Sequence, residues 1–227
     1  MKIIAISLGG SIILRNDEIN IEFLKGFKKL INKEKNTKFI IVTGGGFISK
    51  KYADAAALFT SSNYIMDELG IRLTRANATL VASMFNLTKI ARSIDQIKEG
   101  LIASRVVVAG GLMPGISTDA VTALAAEASD CKELINISRS GGIYADRSGK
   151  GKENERNKFA KEISYQELLN YAMEKDKRTA RSNFIFDTIA CRIAQRSGIK
   201  LHFVGEKTEE IEKAIKGKQH VGTVVYK

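Results

Sequence analysis

A chain of 227 residues can bury a full core, and one large α/β domain fits that length. No stretch of eighteen apolar residues occurs and the apolar start Met1–Ile6 is too short for a secretion signal, so a soluble, cytoplasmic protein with no membrane partner is expected. The net charge of +11 favours anionic partners without choosing among nucleotides, nucleic acid and acidic lipid, while Cys131 and Cys191 lack metal-like spacing and read as buried free thiols.

Lys2–Ser7 is nearly all apolar and reads as a buried parallel strand that stops at Gly9-Gly10-Ser11. Ile19, Phe23, Phe27, Leu30 and Ile31 have helical spacing, so a helix is expected over 19–31. Lys38–Val42 is a second buried strand. Gly44-Gly45-Gly46 follows it, and then a helix through Tyr52, Ala55, Ala56 and Phe59. Ser61-Ser62-Asn63 supplies a break and a cap before a long helical stretch from Tyr64 to Met84, in which Gly70 permits a kink or a helix pair. Ile94–Leu101 is a short helix.

Val106–Ala109 opens the stretch on which the functional reading turns. The strand breaks into a loop with Gly110, Gly111, the only proline, Pro114, and Gly115, then resumes as an alanine-rich helix from Ala120. Ser117, Thr118 and Asp119 are the residue types that cap a helix start. Glu133–Ile137 is another strand, ending in Ser138–Tyr144. Residues 147–161 are dense in charge and glycine and read as an exposed flap, either a solvated hairpin or a lid over phosphate. Ser164 and Glu167 form a capping-box pattern for a helix over 164–172. A buried helix over 183–196, a strand over 199–204, a helix over 208–215 and a last strand over 221–226 complete a βαβα alternation. It predicts a three-layer αβα sandwich around a mostly parallel sheet.

Three glycine loops thus follow three apolar strands and would share the carboxyl edge of one sheet, where open α/β sheets bind ligands. Backbone N–H groups there can approach a phosphate closely. There is no Walker sequence, so this is not a P-loop enzyme. Gly44–Ser49 is a weak dinucleotide-fold match, and a dehydrogenase is disfavoured because a helix rather than an acid-ended strand follows. The two histidines, His202 and His220, are too few for a Ser-His-Asp or zinc mechanism. Phosphoryl transfer needs mainly glycine loops and cations to align two polyanions, and a phosphate acceptor, with a second pKa of about 6, needs no general base near neutrality.

Ser7-Leu8-Gly9-Gly10-Ser11, Gly44-Gly45-Gly46 with Tyr52, Asp67–Ile71, Thr74–Ala78, Pro114-Gly115 with Thr118-Asp119-Ala120, and Arg196–Ile199 together resemble archaeal-type UMP kinases of the amino-acid-kinase superfamily. The resemblance spans nearly the whole chain. It implies an amino-acid-kinase-like fold in a single domain, with the UMP site in roughly residues 1–130 and the ATP site in roughly 131–227. It implies that Gly9, Gly10, Ser11 and Gly46 cradle ATP phosphates, with Lys50 where the family usually has an arginine. Ser138, Arg139, Tyr144 and Asp146 would complete the ATP site. Gly45 would touch the UMP phosphate, Asp67 would bind the UMP ribose, and Leu112, Met113, Pro114, Gly115, Ile116, Ser117 and Thr118 would wrap the monophosphate. Asp187 resembles the family's aspartate that supports phosphate-binding groups, and Lys50, Asp187 and Arg139 are the residues the resemblance marks as catalytic. It further implies Mg2+ delivered with ATP, no metal held by protein ligands alone, and a homohexamer.

Two departures stand out. The family's Thr-Asn-Val-Asp-Gly-Val-Tyr loop is here Ser138–Tyr144 without its asparagine and aspartate, which bears on the phosphate donor. A first-strand lysine of the wider superfamily is replaced by Ser7, leaving Lys50, Arg139 and Arg192 as candidate cations. Competing readings are a nucleotide-sensing module with little catalysis and another phosphate-accepting kinase of the same superfamily. An isopentenyl phosphate kinase is disfavoured because Phe47-Ile48-Ser49 holds no histidine. Specific nucleic-acid binding draws only on charge.

Overall fold

In a computed structural model, residues 1–15, 18–144, 159–175 and 186–226 are described. The expected flap over 147–161 and Asp146 therefore lie mostly or wholly outside the described residues.

The apolar runs form a seven-stranded sheet in the order β5-β4-β1-β6-β8-β9-β7. Its central strands are β1 (Lys2–Leu8), β4 (Thr37–Thr43), β5 (Val106–Ala109), β6 (Glu133–Ile137) and β8 (Lys200–Val204), all mutually parallel. At one edge β9 (Thr223–Val225) runs antiparallel to β8 and pairs in parallel with the short β7 (Glu162–Ile163). From β1 the chain moves outward to β4 and β5, then returns to β6 on the other side of β1. The β1/β6 boundary is thus the switch point, where the carboxyl ends open a crevice.

Alternation along the strands splits the core between two faces. Ile4, Ile6, Leu8, Phe39, Ile41, Ile135 and Ile137 share one cluster with α2 (Ile21–Lys33), α4 (Asn63–Met84) and α9 (Thr208–Ile215). Ala5, Ile40, Val42, Leu134, Leu201 and Phe203 share the other with α5 (Ile94–Ala103), α6 (Thr118–Ala128), α7 (Tyr165–Lys175) and α8 (Thr188–Ser197). This is the expected three-layer αβα sandwich. Phe23, Leu24, Phe27, Leu30 and Ile31 form the buried stripe of α2, and each contributes about 1.5–3 kcal/mol on full burial.

Several expected boundaries move, for local reasons. Gly9 is followed at once by a one-turn α1 (Gly10–Ile13), and a hairpin of β2 (Leu14–Arg15) and β3 (Glu18–Ile19) takes Ile19 out of the expected helix. Asn20 then caps α2 by accepting from Phe23 N at 3.2 Å. The stretch from 64 to 84 is one helix, not two. Gly70 stays helical because its bare Cα faces α3 (Gly46–Ala56), where a Cβ would stand 3.2 Å from Ser49 Oγ. Ser62 caps α4, and Ser164 caps α7 with Glu167 reaching back to Ser164 N at 2.7 Å. Phe186 and Asp187 precede α8 rather than lying inside it, Asp187 being its cap. The final strand is shorter than 221–226.

Both cysteines are buried and free. His202 is buried in β8 and pairs with Glu133 Oε2 at 2.7 Å and with His220 at 2.9 Å. Glu133 opens β6, so this cluster sits at the amino end of the sheet, away from the glycine loops.

Candidate active site

The three glycine loops meet at the carboxyl edge, as their strands require. Gly9 N donates to Ile137 O at 2.9 Å and Gly44 N to Leu8 O at 2.9 Å, which laces the ends of β6, β1 and β4 together. The contact leaves no room for side chains. A Cβ on Gly10 would fall 2.2 Å from Gly46 N and 2.5 Å from Gly44 O. Gly46 has φ +69, a conformation open to glycine at little cost. Gly45 caps α3 without a side-chain hydrogen bond, so the first N–H groups of that helix are not taken up by a capping side chain and face the cradle end. Gly9, Gly10, Ser11, Gly45 and Gly46 are thus brought into one place.

The second half of the crevice is the loop after β5, and α4 fastens it. Thr74 Oγ1 accepts from Gly111 N at 2.7 Å and donates to Ile71 O at 2.7 Å. Arg75 Nε donates to Gly111 O at 3.0 Å and its Nη2 to Leu112 O at 3.1 Å. Asp67 Oδ2 accepts from Gly115 N at 2.8 Å. Asn77 Nδ2 donates to Gly44 O at 2.8 Å, so the same helix also holds the cradle. Asp67 therefore lies at the loop of Leu112–Thr118, as the sequence reading requires, and Met113 on that loop is exposed at 58%.

Beneath the loops lies a polar floor. Ser7 Oγ donates to Asp119 Oδ1 at 2.6 Å and Asn136 Nδ2 donates to the same oxygen at 2.9 Å. Asp187 Oδ1 accepts from Ala190 N at 2.7 Å, and its Oδ2 accepts from Ser117 Oγ. Asp119 retains some exposure as a residue, but its carboxyl group is enclosed. Burial pushes it up to about 7; the Ser7 hydrogen bond opposes the rise, the Asp187 charge adds to it, and the Asn136 hydrogen bond opposes it.

Lys50, Arg139 and Arg192 are exposed. On the loop after β6, Ser138 N donates to Val204 O at 3.1 Å, the Ser138 and Ser140 hydroxyls pair at 2.8 Å, and Tyr144 lies against Phe159 with ring centroids 5.0 Å apart. The sequence reading did not single out Asn136, and it took Asp119 only as a helix-cap type. A polar residue in the middle of the run Leu134–Ile137 is the one signal that marks it. Thr74, Arg75 and Asn77 stood in a quoted motif without a role, which the structure now supplies.

The amino acid kinase family matches residues 2–205. A uridylate kinase of Thermoplasma acidophilum is 32% identical over 98% of this chain and 96% of its own length. One from Thermococcus kodakarensis is 31% identical over 98% of both. The crystal structure of uridylate kinase from Archaeoglobus fulgidus superposes with a TM-score of 0.80 at 30% identity, covering 99% of this chain and 100% of that one. With its strand order, its laced glycine loops and these matches taken together, the chain belongs to the amino acid kinase family.

Proposed function

We propose that this chain is a uridylate kinase, transferring the γ-phosphate of ATP to UMP to give UDP and ADP in pyrimidine nucleotide synthesis. The observation that carries the reading is the convergence on one crevice of a laced glycine cradle and a separate loop held by Asp67, Thr74 and Arg75. Full-length likeness to uridylate kinases supplies the substrates.

Gly9, Gly10, Ser11 and Gly46 receive the ATP phosphates, and Ser138, Arg139, Tyr144 and Asp146 the nucleoside. Gly45, Asp67 and residues 112–118 hold UMP. The attacking UMP oxygen is largely ionised near neutrality, so positioning and charge neutralisation do the catalysis. Lys50 and Arg139, both exposed, are the cations that neutralise the transferred charge, with Arg192 a third, while Asp187, through Ser117, positions the monophosphate loop. Mg2+ would enter on ATP, and the Asp119 and Asp187 carboxylates with the buried Asn136 Oδ1 would suit an ion that keeps phosphate and water ligands. When bound, it supplies positive charge to the phosphate being moved.

A coupled ADP-release assay across UMP, CMP, AMP and isopentenyl phosphate tests the reading. Turnover with UMP well above the rest is expected, and absence of UMP turnover defeats it. The altered loop, with Arg139 and Gly141 where the family carries an asparagine and an aspartate, favours a second reading as a nucleotide sensor. Calorimetric UMP binding with no phosphoryl transfer would select it. Homohexamer and cytoplasmic placement belong to the same proposal. Leu58 and Phe59, 81% and 89% exposed, give self-association a surface to cover, and light scattering reads the mass. Among the described residues no helix is long and apolar enough to cross a membrane.

A further inference from the structure

The loop after β6 is fastened from outside more than by its own side chains. Where it leaves the sheet, Ser138 N donates to Val204 O, and within it Gly141 N donates to Ser138 O, both at 3.1 Å. The Ser138 and Ser140 hydroxyls bond each other, which ties the loop to nothing else. Among the described residues one side chain from elsewhere in the chain hydrogen-bonds this loop, and it is Thr223 of β9. Thr223 Oγ1 accepts from Ile143 N at 2.9 Å and donates to Ile143 O at 3.3 Å, so a single hydroxyl engages both backbone polar groups of one residue. The same carbonyl accepts from Ala160 N at 2.8 Å. Ile143 and Thr223 are both fully buried, so water cannot stand in for the hydroxyl.

Backbone contact keeps this hold close. Gly222, at φ +132, turns the chain into β9, and a Cβ there would fall 2.1 Å from Phe203 O and 2.7 Å from Gly141 O. A Cβ on Gly142 would meet Phe159 Cγ at 2.7 Å and Gly222 Cα at 3.1 Å. Residues 141–143 are thus pressed between the start of β9 and Phe159, and the next residue, Tyr144, bridges to Phe159. Two adjacent glycines would otherwise leave the loop many conformations. A loop that receives a ligand needs one of them, fixed by supporting hydrogen bonds.

We propose that Thr223 is a positioning residue for the phosphate donor: by engaging both backbone polar groups of Ile143, it holds Ser138–Tyr144 in the conformation that receives the donor's nucleoside. The inference rests on the kinase reading, which puts the donor on this loop. It gives the loop a support from outside, in a chain that has Arg139 and Gly141 in place of the family's asparagine and aspartate. The monophosphate loop is held by α4 instead, so losing the Thr223 hydroxyl is felt at the donor alone.

Thr223→Val keeps the shape and removes the hydroxyl, leaving Ile143 N buried without its acceptor unless the loop moves. Initial rates with Mg2+ in excess should show the KM for ATP raised about tenfold, with the KM for UMP and kcat at saturating ATP nearly unchanged. Thr223→Ser, which restores the hydroxyl, should recover most of the loss. Val225→Ala is the structural control: it opens a cavity in the same strand without touching the Ile143 bonds, and should lower the melting temperature while leaving the KM for ATP as it was. An unchanged KM for ATP in folded Thr223→Val, an equal rise in both KM values, no recovery in Thr223→Ser, or the same rise in Val225→Ala overturns the proposal. Should circular dichroism find Thr223→Val unfolded, Thr223→Cys, whose sulfur is a weak acceptor, is read by the same criteria, and loss of fold in both also overturns it. A parent chain without UMP turnover sinks the kinase reading instead. Calorimetric ATP binding then decides the role of Thr223 by itself: binding about tenfold weaker in Thr223→Val sustains it, and equal binding, or none by the parent, overturns it.

Discussion

Thr74→Val tests how α4 holds the monophosphate loop. Valine keeps the shape of threonine, so packing changes little, but Gly111 N loses its 2.7 Å acceptor and Thr74 no longer donates to Ile71 O. Thr74 is 7% exposed, so water cannot readily replace the hydroxyl. Stranding one buried N–H costs about 1–3 kcal/mol, whereas the carbonyl of Ile71 keeps its helical bond and adds little. For a chain of this size that is a fall of roughly 2–12 °C in melting temperature. Gly111 leads directly into residues 112–118, so the KM for UMP should rise severalfold while the KM for ATP holds. Differential scanning fluorimetry and initial rates read both. A melting temperature within 1 °C of the parent with an unchanged KM for UMP would refute the fastening argument.

Other expectations follow from the same geometry. Gly10→Ala drives a Cβ into the Gly46 and Gly44 backbones and should abolish turnover with a loss of several kcal/mol, whereas Gly115→Ala, in open space at φ +77, should cost only about 1–2 kcal/mol and leave turnover measurable. Equal losses in the two variants would contradict the cradle. Asp67→Asn keeps the shape but weakens acceptance from Gly115 N, so it should raise the KM for UMP about tenfold with kcat nearly unchanged, the mark of lost uniform binding; an unchanged KM counts against it. Asp119 sits at about 7 when folded against an ordinary 3.8, so between these values the folded chain holds a proton that the unfolded chain releases. Its contribution is full below pH 4, falls as pH rises, and is gone above pH 7. In EDTA, Asp119→Asn should therefore gain on the parent from pH 4 to pH 7 and keep a constant margin above, read as urea midpoints; a margin independent of pH would refute it.

Burial pattern made most of the fold readable, because runs such as Ile3–Ile6, Phe39–Val42 and Val106–Ala109 tolerate no other placement than a covered parallel strand. Capping chemistry was equally legible: Ser62, Ser117 and the Ser164–Glu167 pair each act as their types suggest. The β2–β3 hairpin was not, since two-residue strands carry no period. Gly70 misled for a different reason. A helix-weakening residue can be demanded by a neighbour's approach, and only tertiary packing reveals the neighbour. In the crevice, glycine loops announced themselves, but the pairing of Ser7 with Asp119 and of Thr74 with Gly111 joins residues remote in sequence. Nothing in hydrophobic spacing records who bonds to whom.

Asp67, Thr74, Arg75 and Asn77 all belong to α4, and that continuity has an evolutionary consequence. Each residue added to a helix turns everything downstream by about 100° and advances it 1.5 Å. A single insertion between Asp67 and Thr74 would therefore leave Asp67 in place and swing the other three grips off their targets together. Exchanging a side chain along the rod changes one grip at a time, whereas changing the rod's count between Asp67 and Thr74 changes three at once.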